Sequence, residues 1–183
     1  MITHEELNPK NIKDINKCND EFIIDSKLVL HLENGEIKYT IVQIPVTSKR
    51  YGKDDIDYTT YIDNVNKVVF LAYVDGQIAG QIILRKNWNK FAYIEDITVD
   101  VQFRRQGIGR ELILRAERWA RNHNLAGSML ETQNNNVPAC LFYERCGFRL
   151  SGFDAYLYKG IYPSTEEVAL YWYRIFAEES AGS

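Results

Sequence analysis

The stretch from Ala92 to Thr132 limits the possible folds more than any other part of the chain. Ala92–Val99 is rich in β-branched residues (Ile94, Ile97, Thr98, Val99) and reads as a strand. A loop carrying Gly107 and Gly109 follows. Gly107–His123 is then helical, because Ile108, Leu112, Leu114 or Arg115, Ala116 and Trp119 recur at three- and four-residue steps. Met129–Thr132 is a short second strand. A strand, a helix and a strand joined in this way place the two strands parallel, with the helix as a right-handed crossover on one face.

The flanking segments point to antiparallel pairing. Phe22–Leu32 and Ile37–Val46 are extended runs joined through Glu33-Asn34-Gly35-Glu36, and Val68–Val74 and Gln77–Arg85 flank Asp75-Gly76. Asn-Gly and Asp-Gly are two-residue hairpin signals. Lys53–Tyr58 reads as an acidic, polar loop. Asn136–Cys146 forms a second amphipathic helix with Cys140, Phe142 or Tyr143, and Cys146 inward, stopped at Gly147. Phe148–Tyr158 and Val168–Phe176 complete the chain as strands, the latter also compatible with a helix. The expected fold is α/β (α+β): a mixed, mostly antiparallel twisted sheet around a central parallel strand–helix–strand unit.

Size and composition fit one domain that buries its own core. The chain has 183 residues, 45% hydrophobic and 26% charged. A net charge of −3 gives no nucleic-acid footprint. No apolar run approaches the ~18 residues of a membrane span, and the start, Met1–Glu6, has neither the basic nor the apolar part of a signal peptide. Cys18, Cys140 and Cys146 are odd in number and scattered, which fits reduced thiols and a cytoplasmic location. His4, His31 and His123 show no metal-ligand spacing, so no metal is expected. Twelve tyrosines suit either a packed core or a cleft that stacks on a flat or cationic ligand.

The loop before the first long helix carries the chemistry. Arg104-Arg105-Gln106-Gly107-Ile108-Gly109 leads into a helix N-terminus, where exposed N–H groups and the helix dipole attract phosphate oxygens. The two glycines let the backbone approach a diphosphate, and Arg104, Arg105 and Arg110 add positive charge. The plainer alternative is a helix cap with surface arginines. The Walker pattern fails for want of its Gly-Lys-Ser/Thr, and the dinucleotide fingerprint for want of a third glycine.

Val99-x4-Arg104-x2-Gly107-x-Gly109 resembles the acyl-coenzyme-A motif of the GNAT superfamily of N-acetyltransferases, with Arg105 where glycine is common. Asn136-x2-Ala139-x2-Phe142-Tyr143-x3-Gly147-Phe148 resembles the second cofactor-side segment of that superfamily. Trp88-Asn89, Tyr93–Ile97, Leu130–Gln133, Asn135–Cys140 and Cys146–Phe148 resemble streptothricin acetyltransferases, a likeness that spans roughly residues 60–176. The resemblance implies a GNAT-like single domain over 1–183: an N-terminal arm and hairpin (1–60), a catalytic core with the coenzyme site (61–176) and a tail (177–183). It implies acetyl-CoA as cosubstrate and is compatible with a homodimer. The donor would be held by Ile97, Thr98 and Val99 through their backbone, with the Ile97 N–H toward the acetyl carbonyl, and by Arg104–Arg110, Asn136, Ala139 and Tyr143.

Acetylating an amine needs a base or water relay, a donor to the carbonyl and an acid for the departing thiolate. The resemblance assigns Tyr143 as the acid; a buried core tyrosine is the alternative. Asn136 would hydrogen-bond the pantetheine arm, or cap a helix. Glu95 is the expected base or amine anchor, with Asp96 second. Strand alternation sends the two to opposite faces, and the alternative for Glu95 is a salt bridge with Arg85 or Lys86. The acceptor should be a cationic small-molecule amine, steered by Asp54, Asp55 and Asp57 and stacked on Trp88 and Tyr93, unless those aspartates only solvate a loop. The expected function is inactivation of streptothricin-type antibiotics by acetylation of the β-lysine moiety. The alternatives are acetylation of another polyamine or of a protein amine, and a non-catalytic acetyl-CoA-binding domain.

Overall fold

The computed structural model describes residues 1–52 and 55–176. The strands are β1 (Ile2–Glu6), β2 (Phe22–Glu33), β3 (Glu36–Lys49), β4 (Lys67–Val74), β5 (Gln77–Lys86), β6 (Ala92–Val99), β7 (Gly127–Gln133), β8 (Arg149–Asp154) and β9 (Ala169–Ile175). The helices are α1 (Ile108–Asn122) and α2 (Val137–Arg145). Seven strands form one sheet in the order β1-β4-β5-β6-β7-β9-β8, and β2 and β3 form a separate ribbon. Every neighbouring pair is antiparallel except β6–β7, which is parallel. The expected mixed sheet with its parallel crossover unit is therefore the observed one.

Local chemistry accounts for most boundaries. Asn34-Gly35 and Asp75-Gly76 all have positive φ, as a two-residue hairpin turn requires. Helix α1 buries Ile108, Leu112, Ile113, Ala116, Trp119 and Ala120. Ile113 thus takes the inward place expected of Leu114 or Arg115. Each large side chain in that stripe contributes roughly 1.5–3 kcal/mol by leaving water. The 169–175 segment is a strand, flanked on both sides by β7 and β8, with Leu170 and Trp172 alternating inward. β8 ends at Asp154, sooner than expected, because the Asp154 carboxylate accepts from the N–H groups of Tyr156 and Leu157 and turns the chain. β1 carries no hydrophobic alternation to announce it. It is a short, mostly exposed edge strand whose charged residues suit an edge.

The sheet has a core on each face. On one, α1 and α2 pack over Ile82, Leu84, Ile94, Leu130 and Trp172; on the other lie Leu7, Tyr61, Val69, Leu71, Tyr73 and Ile83. The ribbon is tied to the sheet at several points. Leu28 N–H donates to the Asn134 carbonyl (2.8 Å) and Asn134 Nδ2 to the Leu28 carbonyl (3.1 Å), while Lys49 pairs with Glu167 (2.7 Å).

Candidate active site

β6 and β7 pair only at Ala92↔Ser128 and Tyr93↔Met129. Beyond that point they separate, and a cleft of about 1030 Å³ runs through the sheet between them. One mouth lies at the α1 N-terminus and α2; the other opens on the face away from the helices, beside Asn16, Tyr58 and Ile83. A volume near the upper end of ordinary ligand sites suits a long molecule threaded through it.

The helix-side mouth is built largely from backbone. The Asp100 N–H donates to the Ala79 carbonyl, and Val99 and Ile97 lie opposite Gly80 and Ile82. Antiparallel alternation then turns the N–H and C=O of Ile97 and Val99 into the cleft and those of Thr98 toward β5. The Thr98 backbone is thus directed away from a ligand, and its hydroxyl bonds Asp96 (3.0 Å). Gly107 caps α1 at φ 86°, and a Cβ there would meet nothing within 4 Å, so the helix N-terminus is open to an anion. Gly109 lines the cleft and also serves packing. A Cβ there would lie 3.1 Å from the Phe142 ring, so this glycine lets α1 and α2 approach. Arg105, Gln106 and Arg110 are exposed around the turn, whereas Arg104 folds back and donates to the Val99 carbonyl (3.1 Å).

Asn136 uses both ends of its side chain within the protein. Its Oδ1 accepts from the Ala139 N–H (3.3 Å), capping α2, and its Nδ2 donates to the Tyr51 hydroxyl (2.9 Å). Tyr51 in turn donates to Gln133 (2.5 Å). Tyr143 lines the cleft and is 7% exposed, with its ring against Phe142, Phe148 and Trp172. Burial pushes its phenol well above the usual range, so the proton stays on the oxygen.

The opposite mouth is acidic. Glu95 and Asp96 share this face, contrary to strict alternation, because the register slips between Ile83 and Leu84 and Glu95 is the extra residue of a bulge. Glu95 accepts from the Tyr61 hydroxyl (2.6 Å) and from Arg85 Nε (3.0 Å). The salt bridge with Arg85 that was the alternative for Glu95 is therefore present. Asp96 accepts from Gln81 Nε2 (2.7 Å). Tyr93 lies under Arg85, 4.6 Å from guanidinium to ring centroid. Trp88 is 91% exposed in the β5–β6 turn and does not line the cleft, so the structure gives it no stacking role. Asp57 caps a 3-10 turn by accepting from Thr59, and Asp55 is exposed outside the cleft; Ile56 and Tyr58 line the wall instead. Asp54 lies outside the described residues.

The acetyltransferase (GNAT) family model matches residues 38–148, more than half of the chain. The chain belongs to this family. The streptothricin acetyltransferase A of Bacillus subtilis (strain 168) is 37% identical over 91% of this chain and 95% of its own length. The streptothricin acetyltransferase of Escherichia coli is 33% identical over 90% and 91%. A Bacillus anthracis protein assigned as a streptothricin acetyltransferase, solved with acetyl coenzyme A, is 43% identical and superimposes with a TM-score of 0.90 over 97% of this chain and 98% of its own.

Two parts of this GNAT site escaped sequence reasoning. Tyr51 reaches the cleft from beyond the end of β3 and closes it over α2. Glu131, on β7, lines the cleft and accepts from the Tyr158 hydroxyl. Burial pushes its carboxyl up to about 7; the Glu167 charge adds to this and Lys49 offsets it. Its signals in the sequence were a carboxylate in the middle of a largely buried strand, Gly127–Gln133, and its place in Leu130–Gln133, one of the segments that carry the resemblance.

Proposed function

We propose that this acetyltransferase transfers the acetyl group of acetyl-CoA to an amino group on the β-lysine moiety of streptothricin-type antibiotics, acting in the cytoplasm. Relatives named for streptothricin and matching about nine-tenths of this chain support the substrate class. Three free thiols support the compartment. The observation that carries the reading is the cleft through the sheet. Its helix-side mouth offers N–H groups and arginines to a phosphorylated donor, and its other mouth offers Glu95, Asp96 and Glu131 to a cationic acceptor.

The α1 N-terminus, with Arg105 and Arg110 beside it, would take the diphosphate, and the Ile97 and Val99 backbone would pair with the pantetheine amides. Bound acetyl-CoA supplies an activated thioester carbonyl. The Ile97 N–H would donate to that carbonyl oxygen as charge develops there. Tyr143 holds its proton and is the donor to the departing sulfur. Glu95 and Asp96 anchor the cationic acceptor.

Thiol release with streptothricin, spermidine and an aminoglycoside tests the proposal, with mass spectrometry placing the acetyl group. Streptothricin should be the preferred acceptor and carry the label on β-lysine. Acetylation of spermidine with none of streptothricin would refute it.

A further inference from the structure

Gln81 is a polar side chain at a position that suits an apolar one. It sits in the middle of β5, between the buried Gly80 and Ile82, and is itself 2% exposed. An amide buried there costs free energy unless it is hydrogen-bonded, and both of its ends are. Gln81 Oε1 accepts from the Asn16 N–H (2.7 Å), while Nε2 donates to Asn16 Oδ1 (2.8 Å) and to Asp96 Oδ2 (2.7 Å). A backbone N–H can only donate, so it fixes which end of the amide is oxygen and turns the nitrogen to Asp96. The register allows the reach. Gln81 lies opposite Thr98 and Ile83 opposite Asp96, so Gln81 and Asp96 are diagonal neighbours on the face away from the helices.

The N-terminal arm supplies the lock. Asn16 has φ 60°, a conformation that asparagine adopts more readily than most residues. This turn brings its N–H and Oδ1 to Gln81, while its Nδ2 donates to the Tyr58 hydroxyl (3.2 Å). Asn16, Tyr58, Gln81 and Asp96 all line the cleft. The arm is also held without this link. On either side of Asn16, the Tyr73 hydroxyl donates to Asp14 (3.1 Å) and the Asn19 N–H to Asp100 (2.7 Å). What Gln81 adds is a connection from the arm to Asp96. A carboxylate that faces an open cleft can swing among rotamers, and a charge-assisted bond from a fixed amide restrains it.

We propose that Gln81 is a positioning residue for the acceptor: locked by Asn16, its amide holds the Asp96 carboxylate ready for a non-reacting ammonium group of a polycationic amine. This rests on the reading of this mouth as the acceptor site. Both Gln81 N–H groups are engaged by Asn16 and Asp96, so Gln81 acts through Asp96 and not by touching the substrate. A counter-charge oriented in advance binds the amine without first losing side-chain freedom. An ammonium that takes no part in the reaction keeps the same bond before and during attack. The link therefore governs the KM for the amine and leaves kcat nearly unchanged.

The test is a double-mutant cycle of Gln81→Met, Asp96→Asn and the two together, read by steady-state thiol release and differential scanning fluorimetry. The acceptor is streptothricin or, where the enzyme is idle with it, whichever of spermidine and an aminoglycoside turns over. Gln81→Met keeps the side-chain length and removes its hydrogen bonds; Gln81→Leu takes its place if the methionine variant does not fold. Either should raise the KM for the amine about tenfold, with kcat and the KM for acetyl-CoA within about threefold of wild type. In the Asp96→Asn background the same substitution should add less than about twofold, because no charge is left to position. Tyr73→Phe is the control for the arm: it releases Asp14 and lies outside the cleft lining. It should lower Tm and leave the amine KM within about twofold of wild type. Effects of Gln81→Met and Asp96→Asn that multiply would overturn the proposal. So would a wild-type amine KM in Gln81→Met, a kcat that falls as far as that KM rises, or an equal rise in Tyr73→Phe. An enzyme idle with streptothricin and active with another amine refutes the substrate reading alone, and the cycle with that amine still decides on Gln81.

Discussion

Asn136 can serve as a helix cap or as a ligand to the donor, and two substitutions separate these roles. Asn136→Ala removes the cap bond from Ala139 and the bond to the buried Tyr51 hydroxyl. A lost cap costs about 1 kcal/mol, and a lost neutral hydrogen bond costs about 1 kcal/mol. A loss of about 2 kcal/mol in a chain of this size lowers Tm by roughly 4–8 °C. Asn136→Asp keeps an acceptor for the Ala139 N–H and places a negative charge at a helix N-terminus, which adds about 0.3–1 kcal/mol. It loses only the donor to Tyr51, whose hydroxyl still reaches Gln133. The aspartate variant should therefore melt within about 2 °C of wild type by the same scaling. The assay is differential scanning fluorimetry beside the KM for acetyl-CoA. Because both polar ends of Asn136 are used within the protein, the alanine variant should raise that KM several-fold and the aspartate variant should restore it. An aspartate variant with wild-type Tm, but a KM raised as much as in alanine, would refute this reasoning and show that the amide itself holds the donor.

Three further outcomes follow from the cleft. Tyr143→Phe should cut kcat by about 10²-fold while leaving acetyl-CoA binding intact, measured by thiol release and calorimetry; unchanged turnover removes the acid role. Glu95→Gln should raise the KM for the amine by about tenfold, with stability changed by less than about 1 kcal/mol because the Arg85 pair is partly exposed; an unchanged KM would leave Glu95 as a structural partner of Arg85 alone. Gly107→Trp should weaken acetyl-CoA binding at least about tenfold, with Gly107→Ala as the control for the roughly 1–2 kcal/mol strain of a side chain at positive φ. Wild-type affinity in the tryptophan variant would place the phosphates elsewhere.

The parts of the fold that were legible in the sequence are those fixed by neighbours along the chain. The stripe Ile108, Leu112, Ala116, Trp119 and the turns Asn34-Gly35 and Asp75-Gly76 each carry their own period or φ requirement. Strand β1 carried no such signal: Ile2–Glu6 is polar because it is an edge strand, and only its partner β4 makes it a strand. The bulge at Glu95 was equally hidden. It arises from the register between β5 and β6, and it moves a carboxylate to the other face with no change in local composition.

The same distinction divides the site. In the proposed function, donor binding would depend on backbone geometry at one turn and one helix end, which Val99–Arg110 and Asn136–Phe148 carry as contiguous motifs within the family match and the cleft lining. The acceptor mouth is assembled from side chains that meet only after folding. Tyr51 bonds Gln133 across 82 residues, Tyr61 bonds Glu95 across 34 and Tyr158 bonds Glu131 across 27. Such contacts leave no spacing to read; they leave composition, and the unusual number of tyrosines is what they leave here. Tyr51, Tyr58 and Tyr93 line the cleft, and Tyr61 and Tyr158 hold its carboxylates. A phenol suits this mouth because it presents an apolar ring to a cation and a hydroxyl to a carboxylate, without adding a charge that would compete with the substrate. On the proposed reading, the tyrosines that line the cleft would set which amines can reach the thioester, while the glycine-rich turn would set only that an acyl donor is there to meet them.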